Sequence, residues 1–176
     1  LVHKIAGAAA AKGLDLLEVK TLAEKAIENV RSIGFAFTSC TVPAKGTPTF
    51  TIGDDEMEFG VGIHGEPGIA REKIVSADEL SKKMLERIIA DLPYENGDDV
   101  ALLVNGFGST PLQELYLLNN SVSTILENKS IKIHKTFVGN YMTAIDMSGA
   151  SISLMKLDKE LKELLDYPSD TPAFKI

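Results

Sequence analysis

The chain has no tryptophan, a single cysteine and three histidines in 176 residues, and each scarcity removes a class of chemistry. One cysteine, Cys40, cannot form an internal disulfide, so a packed core must hold the fold. The histidines at positions 3, 64 and 134 are isolated from one another, and Glu58 and Glu66 flank His64 without a recognised ligand spacing, so no metal site is expected. Basic residues are also in deficit: 18 Lys and Arg against 25 Asp and Glu leave a net charge of -7, without a basic and aromatic cluster to track phosphates. Nucleic acid is therefore not an expected partner. No apolar run reaches membrane-spanning length and no segment resembles a signal peptide, which makes a membrane an unexpected partner and the cytoplasm the expected compartment. The opening "LVHKIAGAAAAKG" lacks an initiator Met and reads as helix interior from its first residues, the pattern expected of a piece of a longer chain.

Hydrophobic residues make up 44% and charged residues 24%, proportions of an ordinary globular domain long enough to bury a full core. The alanine-rich helix is expected to stop at Gly13. A second helix follows from Asp15 as cap, with Leu17, Leu22, Ala23, Ala26, Ile27 and Val30 at approximate helical spacing, so residues 1–32 read as a helical lead-in. "GFAFTSC" from Gly34 reads as a strand and "TVPAKGTPTF" as a loop. In "EMEFGVGI", Met57, Phe59, Val61 and Ile63 alternate with Glu56, Glu58, Gly60 and Gly62, the period of a half-buried strand with its glutamates toward water. "SADELSKKMLERIIADL" is an amphipathic helix capped by Ser76 or Asp78. "DDVALLVN" is a strand, and "STPLQELYLLNN" starts a helix with Thr110 as cap and Pro111 at its first position. "IKIHKTFVG" and "NYMTAID" read as strands, and "MSGA" as the bend of a hairpin returning through "SISLMKL". A short helix, "KELKELLD", precedes the tail. Helices alternate with strands early and short turns join strands late, which predicts an α/β arrangement with α+β character, a mixed sheet with helices packed on it, in a single domain over residues 1–176.

The stretch "EFGVGIHGEPG" packs four glycines around His64. Gly60, Gly62 and Gly65 satisfy the dinucleotide spacing formally, yet Pro67 would disturb the helix that motif must open, and no Gly-Lys-Ser or Gly-Lys-Thr follows a glycine loop elsewhere. No nucleotide site is therefore expected. Cys40 reads as a small buried hydrophobe, His3 and His134 as structural or surface histidines, and Thr110 as an ordinary cap. His64 stands apart, because glycine is costly to order and is used for positive φ or close approach. Two readings remain open on these residues: an exposed ring with room for a small molecule beside it, or a tight turn that contains a histidine.

"EMEFGVGIHGEPG", together with "SCTVPAKGTPTF", "ALLVNGFGSTPLQELY" and "AIDMSGASISLMKLD", resembles the substrate-binding subunit of dihydroxyacetone kinases, in order and over nearly the whole chain. The resemblance implies the second, C-terminal domain of that fold, and a homodimer. It further implies that His64 binds dihydroxyacetone by attacking its carbonyl carbon and holding it as a hemiaminal for phosphorylation. The family's earlier Gly-Gly-Gly-Ser-Gly-His-Glu-Pro loop and its aspartate do not occur in these residues, so the sequence is expected to be the C-terminal domain without its N-terminal partner, and its active site to be incomplete. The phosphoryl donor, ATP or ADP used as a phosphorylated cofactor, is expected on a nucleotide-binding partner domain or subunit, with no cofactor in this chain. Some relatives of this kind act instead as dihydroxyacetone-binding coactivators of a transcriptional regulator.

Overall fold

The computed structural model describes residues 1–63 and 66–176; His64 and Gly65 lie outside the described residues. Helix α1 (Val2–Ala11) ends just before Gly13, whose φ of +84° reverses the chain. Asp15 and Glu18 form a reciprocal capping box at the start of α2 (Leu16–Glu28). The helical lead-in expected to reach residue 32 thus stops at Glu28, and strand β1 (Val30–Ala36) begins earlier than Gly34. Val30 sits at helical spacing from Ala26, but β1 pairs with a later strand from Val30 opposite Met155 to Ala36 opposite Gly149, and that ladder wins. The buried stripe of α2 is correspondingly narrow: Leu22 and Ala26 are buried, whereas Leu17 is 72% exposed and Ile27 55%.

After a long loop come β2 (Glu56–Phe59), β3 (Ala70–Lys73), α3 (Ala77–Asp91) capped by Ser76, and β4 (Asp99–Gly106). They are followed by α4 (Leu112–Asn128), β5 (Lys132–Gly139), β6 (Gly149–Leu157), α5 (Lys159–Asp166) and a two-residue hairpin, β7 (Asp170–Thr171) with β8 (Phe174–Lys175). The main sheet has the order β3-β2-β1-β6-β4-β5; β4 and β5 run parallel around α4, and every other pair is antiparallel. This is the mixed sheet with packed helices that the alternation predicts.

Three local expectations give way to the sheet. "NYMTAID" is a loop rather than a strand, because the chain leaving β5 must pass over β4 to reach its place between β4 and β1. Gly149 is not a hairpin bend but the first residue of β6, opposite Ala36. Thr110 makes no cap bond to α4, whose N-cap position is Pro111. Strand β3 is a further element, polar and only four residues long, that periodicity does not reveal.

Alternation along the strands sends side chains to two different layers. Val100, Leu102 and Val104 of β4 and Ala150, Ile152 and Leu154 of β6 pack with Phe35, Met57 and Phe59 beneath α3 and α4. On the opposite face, Ala101, Met155 and Leu157 pack against α1, α2 and α5. At the other end of that second face a smaller cluster forms from Ala36, Cys40, Val61, Phe107, Ala144 and Met147. Between these two clusters the described residues leave a cleft over a strip of the sheet, and there the candidate site lies.

Candidate functional site

The strip carries Ser32 and Gly34 of β1, Ser151 and Ser153 of β6, and Leu103 and Asn105 of β4, all small or polar except Leu103. Ser32 and Ser153 face each other across the strands with hydroxyls 2.6 Å apart. The strip floors a cleft of about 490 Å³, walled by Gly60–Ile63 on one side and reached by Met142 on the other.

The wall is the chain leaving β2. Gly60 takes a φ of +81°, its N–H bonds to the Gly34 carbonyl at 2.7 Å, and the chain then crosses onto the sheet face. Gly34 permits this, since a Cβ there would lie 2.7 Å from the Val61 carbonyl oxygen and 2.9 Å from the Phe107 ring. The return is equally close: a Cβ at Gly62 would overlap the Glu66 carboxylate, and one at Gly68 the Phe59 carbonyl. Among the described residues, the glycines of this loop make room for the loop's own chain. Ile69 N–H then bonds the Phe59 carbonyl at 2.8 Å, and the chain continues as β3, not as the helix a dinucleotide loop requires.

Glu58 departs from the solvated strand face expected of it. It is 8% exposed, accepts from Gly68 N–H at 3.0 Å and pairs with Arg71 Nε at 3.1 Å. The covering strand, β3, is the element whose existence the sequence does not signal. Glu56 is half-buried and accepts from the Gly53 N–H at 3.0 Å.

Two buried polar side chains hold the rest of the rim. Asn105 accepts from the N–H groups of Tyr141 and Met142 at 2.9 and 2.8 Å and donates to the Met142 carbonyl at 2.8 Å, fixing the loop after β5. The Thr110 hydroxyl donates to the Gly149 carbonyl at 2.5 Å and accepts from the Gly149 N–H at 2.8 Å, which ties the start of α4 to the start of β6. Further along the same loop, Ile145 adopts a left-handed φ of +61°, an unusual conformation for a β-branched residue. Asp146 accepts from Thr41 N–H at 2.9 Å.

The other sequence candidates are dispersed. His64, the predicted nucleophile, lies outside the described residues, although Gly60–Ile63 before it line the cleft. Cys40 is buried, and burial, reinforced by Asp146, pushes its thiol above the ordinary range, so it packs as a small apolar group. His134 on β5 bonds Asp166 of α5 at 2.7 Å. His3 is exposed on α1 at the edge of a second, apolar cavity of about 480 Å³ between α1 and the C-terminal tail. Among the described residues, no three His, Cys, Asp or Glu side chains converge on a metal position, and no helix is long and apolar enough to cross a membrane. Asn105 and Gly34 escape sequence reading because a lone Asn in an apolar strand and a lone Gly in a short one carry no motif.

A family model described as the Dak1 domain matches residues 1–173. The chain belongs to the Dak1 domain family. This Dak1 domain is 48% identical over 175 residues to the dihydroxyacetone-binding subunit of a PTS-dependent dihydroxyacetone kinase from Listeria innocua, covering 99% of the chain and 53% of that protein. Among solved structures it is similar to a dihydroxyacetone kinase operon co-activator, with 33% identity, a TM-score of 0.88, and coverage of 95% of this chain and 52% of that one. It is also similar to the dihydroxyacetone kinase of C. freundii, with 26% identity, a TM-score of 0.78, and coverage of 99% and 33%. The Dak1 domain here thus spans about half the length of the curated relative it matches.

Proposed function

We propose that this Dak1 domain is the dihydroxyacetone-binding part of a dihydroxyacetone kinase and that His64 captures the ketone covalently. The observation that carries the reading is the 48% identity, along almost the whole chain, to a protein named for binding dihydroxyacetone. In the proposed step a lone pair on the neutral His64 imidazole forms a C–N bond to the carbonyl carbon. The C=O π pair moves to oxygen, which gains a proton as the imidazole gives up its own N–H proton, leaving a neutral hemiaminal. An alcohol such as glycerol has no electrophilic carbon and is not captured. The bond holds a terminal hydroxyl in place for phosphoryl transfer, whose main demand is positioning. The hydroxyls of Ser32, Ser151 and Ser153 on the floor of the adjacent cleft can hydrogen-bond a polyhydroxylated ligand.

The proposed scheme leaves the nucleotide off this chain, a reading supported among the described residues by the glycine loop that leads into a strand and by the Thr110 hydroxyl committed to Gly149. ATP or ADP as phosphoryl donor is accordingly assigned to a nucleotide-binding partner domain or subunit, and the groups that complete the site to an N-terminal domain of a longer chain. The proposed assembly is a cytoplasmic homodimer, for which sedimentation equilibrium should give twice the chain mass.

A second reading is favoured by the likeness to the operon co-activator at a TM-score of 0.88: a dihydroxyacetone-binding co-activator of a transcriptional regulator, also using His64. Full-length protein, nucleotide-binding partner and donor are mixed with dihydroxyacetone, and dihydroxyacetone phosphate is measured. Turnover supports the kinase; ligand binding without turnover supports the co-activator. Native mass spectrometry should show a dihydroxyacetone adduct on the wild type and none on His64→Ala. No adduct on the wild type, with no bond to His64 in a liganded crystal structure, would overturn covalent capture.

A further inference from the structure

We infer that Glu58 is the positioning residue of the His64 loop, acting as a latch between the return stem of that loop and strand β3. The inference rests on the proposed role of His64 but comes from a separate set of contacts. The loop leaves β2 at Gly60 and rejoins it at Ile69, where Ile69 N–H bonds the Phe59 carbonyl at 2.8 Å. One residue earlier, the N–H of Gly68 has no strand partner in that ladder, and Glu58 supplies the acceptor at 3.0 Å. The other carboxylate oxygen takes Arg71 Nε at 3.1 Å, directly across the β2–β3 pair, so one side chain joins strand, loop stem and neighbouring strand. The fit is tight, because a Cβ on Gly68 would lie 3.0 Å from the Glu58 Cγ and overlap the Phe59 carbonyl.

A carboxylate this buried must have its charge and lone pairs satisfied, and its two partners among the described residues lie on the loop stem and on the strand the loop feeds. The latch therefore resists the movement that would misplace His64, four residues before Gly68. A nucleophile displaced by about 1 Å can lose on the order of a hundredfold in rate. Glu58 touches no reacting atom in this scheme; it acts through Gly68.

The test uses full-length protein carrying Glu58→Ala, Glu58→Gln or Arg71→Gln, with amide hydrogen exchange at Gly68 and Ile69, the rate of dihydroxyacetone capture and the melting temperature read on each. Glu58→Ala should speed exchange at Gly68 and slow capture by about tenfold to a hundredfold. Glu58→Gln, whose amide oxygen can still accept from Gly68, should recover most of the capture rate, and Arg71→Gln should lose less than Glu58→Ala. Wild-type capture and exchange in Glu58→Ala would overturn the inference. So would losses in Glu58→Ala and Glu58→Gln that simply follow the fall in melting temperature. If wild-type protein captures no dihydroxyacetone, the reading of His64 fails by itself, and exchange at Gly68 then decides the latch alone: faster exchange in Glu58→Ala supports it and unchanged exchange overturns it.

Discussion

At the scale of single residues, the candidate site is shaped by side chains that are missing as much as by those present. Gly34 has no Cβ so that Val61 and Phe107 can lie on the sheet. Gly34→Ala would press on the Val61 carbonyl, a backbone atom that can yield only by shifting the wall of the cleft. On the proposed role of His64, the expected outcome is a loss of dihydroxyacetone capture larger than the loss of thermal stability would explain, read by native mass spectrometry beside a melting curve. Asn105 makes the complementary case, since its three bonds among the described residues all go to Tyr141 and Met142. Asn105→Leu leaves those backbone groups without partners in a nearly closed setting and should cost about 1–3 kcal/mol in chemical denaturation. Ile145 pays about 1–2 kcal/mol for its left-handed backbone while its side chain is 62% exposed. Ile145→Asn should therefore raise the melting temperature, and a lowered one would show that the side chain has a packing role.

At the scale of elements, α5 is fastened at both ends by ion pairs. Lys25 of α2 reaches Asp158 at 2.5 Å and Glu160 at 2.7 Å, while Asp166 accepts from His134 and Lys135 of β5 at 2.7 and 3.1 Å. Burial alone would push the Asp158 and Asp166 carboxyls up. At Asp158 the Leu161 N–H and Lys25 outweigh it, and at Asp166 His134 and Lys135 do so, holding both below the ordinary 3.8. Lys25 is raised above 10.5, chiefly by its hydrogen bonds to Asp158 and Glu160. A depressed carboxyl contributes stability that is present above 3.8 and lost as pH falls through its folded value. A raised lysine contributes stability that is complete below 10.5 and lost as pH rises through its folded value. Lys25→Met should flatten the alkaline fall in melting temperature above pH 10.5. It should remove only part of the acid fall, because Asp158 still caps α5 through Leu161 N–H at 2.8 Å.

Elements also show where sequence reading succeeds. The helices were legible because their apolar stripes and caps are local, as at Asp15 and Ser76. Strand β6 reads as half of a hairpin from sequence because a glycine followed by alternating residues looks the same whether its partner is adjacent in sequence or, as here, at Val30–Ala36. For Glu58, period two indicates a face of the strand but not what covers it, and β3 with the returning loop covers it here.

At the scale of the whole molecule, one sheet serves two cores, and β6 feeds both: Leu154 is buried beneath α3 and α4, and Met155 against α1, α2 and α5. Truncating either to Ala should cost about 2–5 kcal/mol. Because the two are adjacent on one strand, each variant should still unfold in a single transition by both far-ultraviolet circular dichroism and tyrosine fluorescence. Separate transitions would show that the two layers melt independently.

The strand order has a temporal consequence. Strand β6 is the last of the main sheet to leave the ribosome, yet it lies at the centre, between β1 and β4. Until Gly149–Leu157 emerges, β1-β2-β3 and β4-β5 are two separate ribbons, each with an unpaired edge waiting for the same segment. A nascent chain stalled before Gly149 should accordingly be protease-sensitive throughout and dependent on chaperones, and one stalled with β6 fully exposed should become resistant. Folding during synthesis would then be decided at a single late step, the closing of one seam.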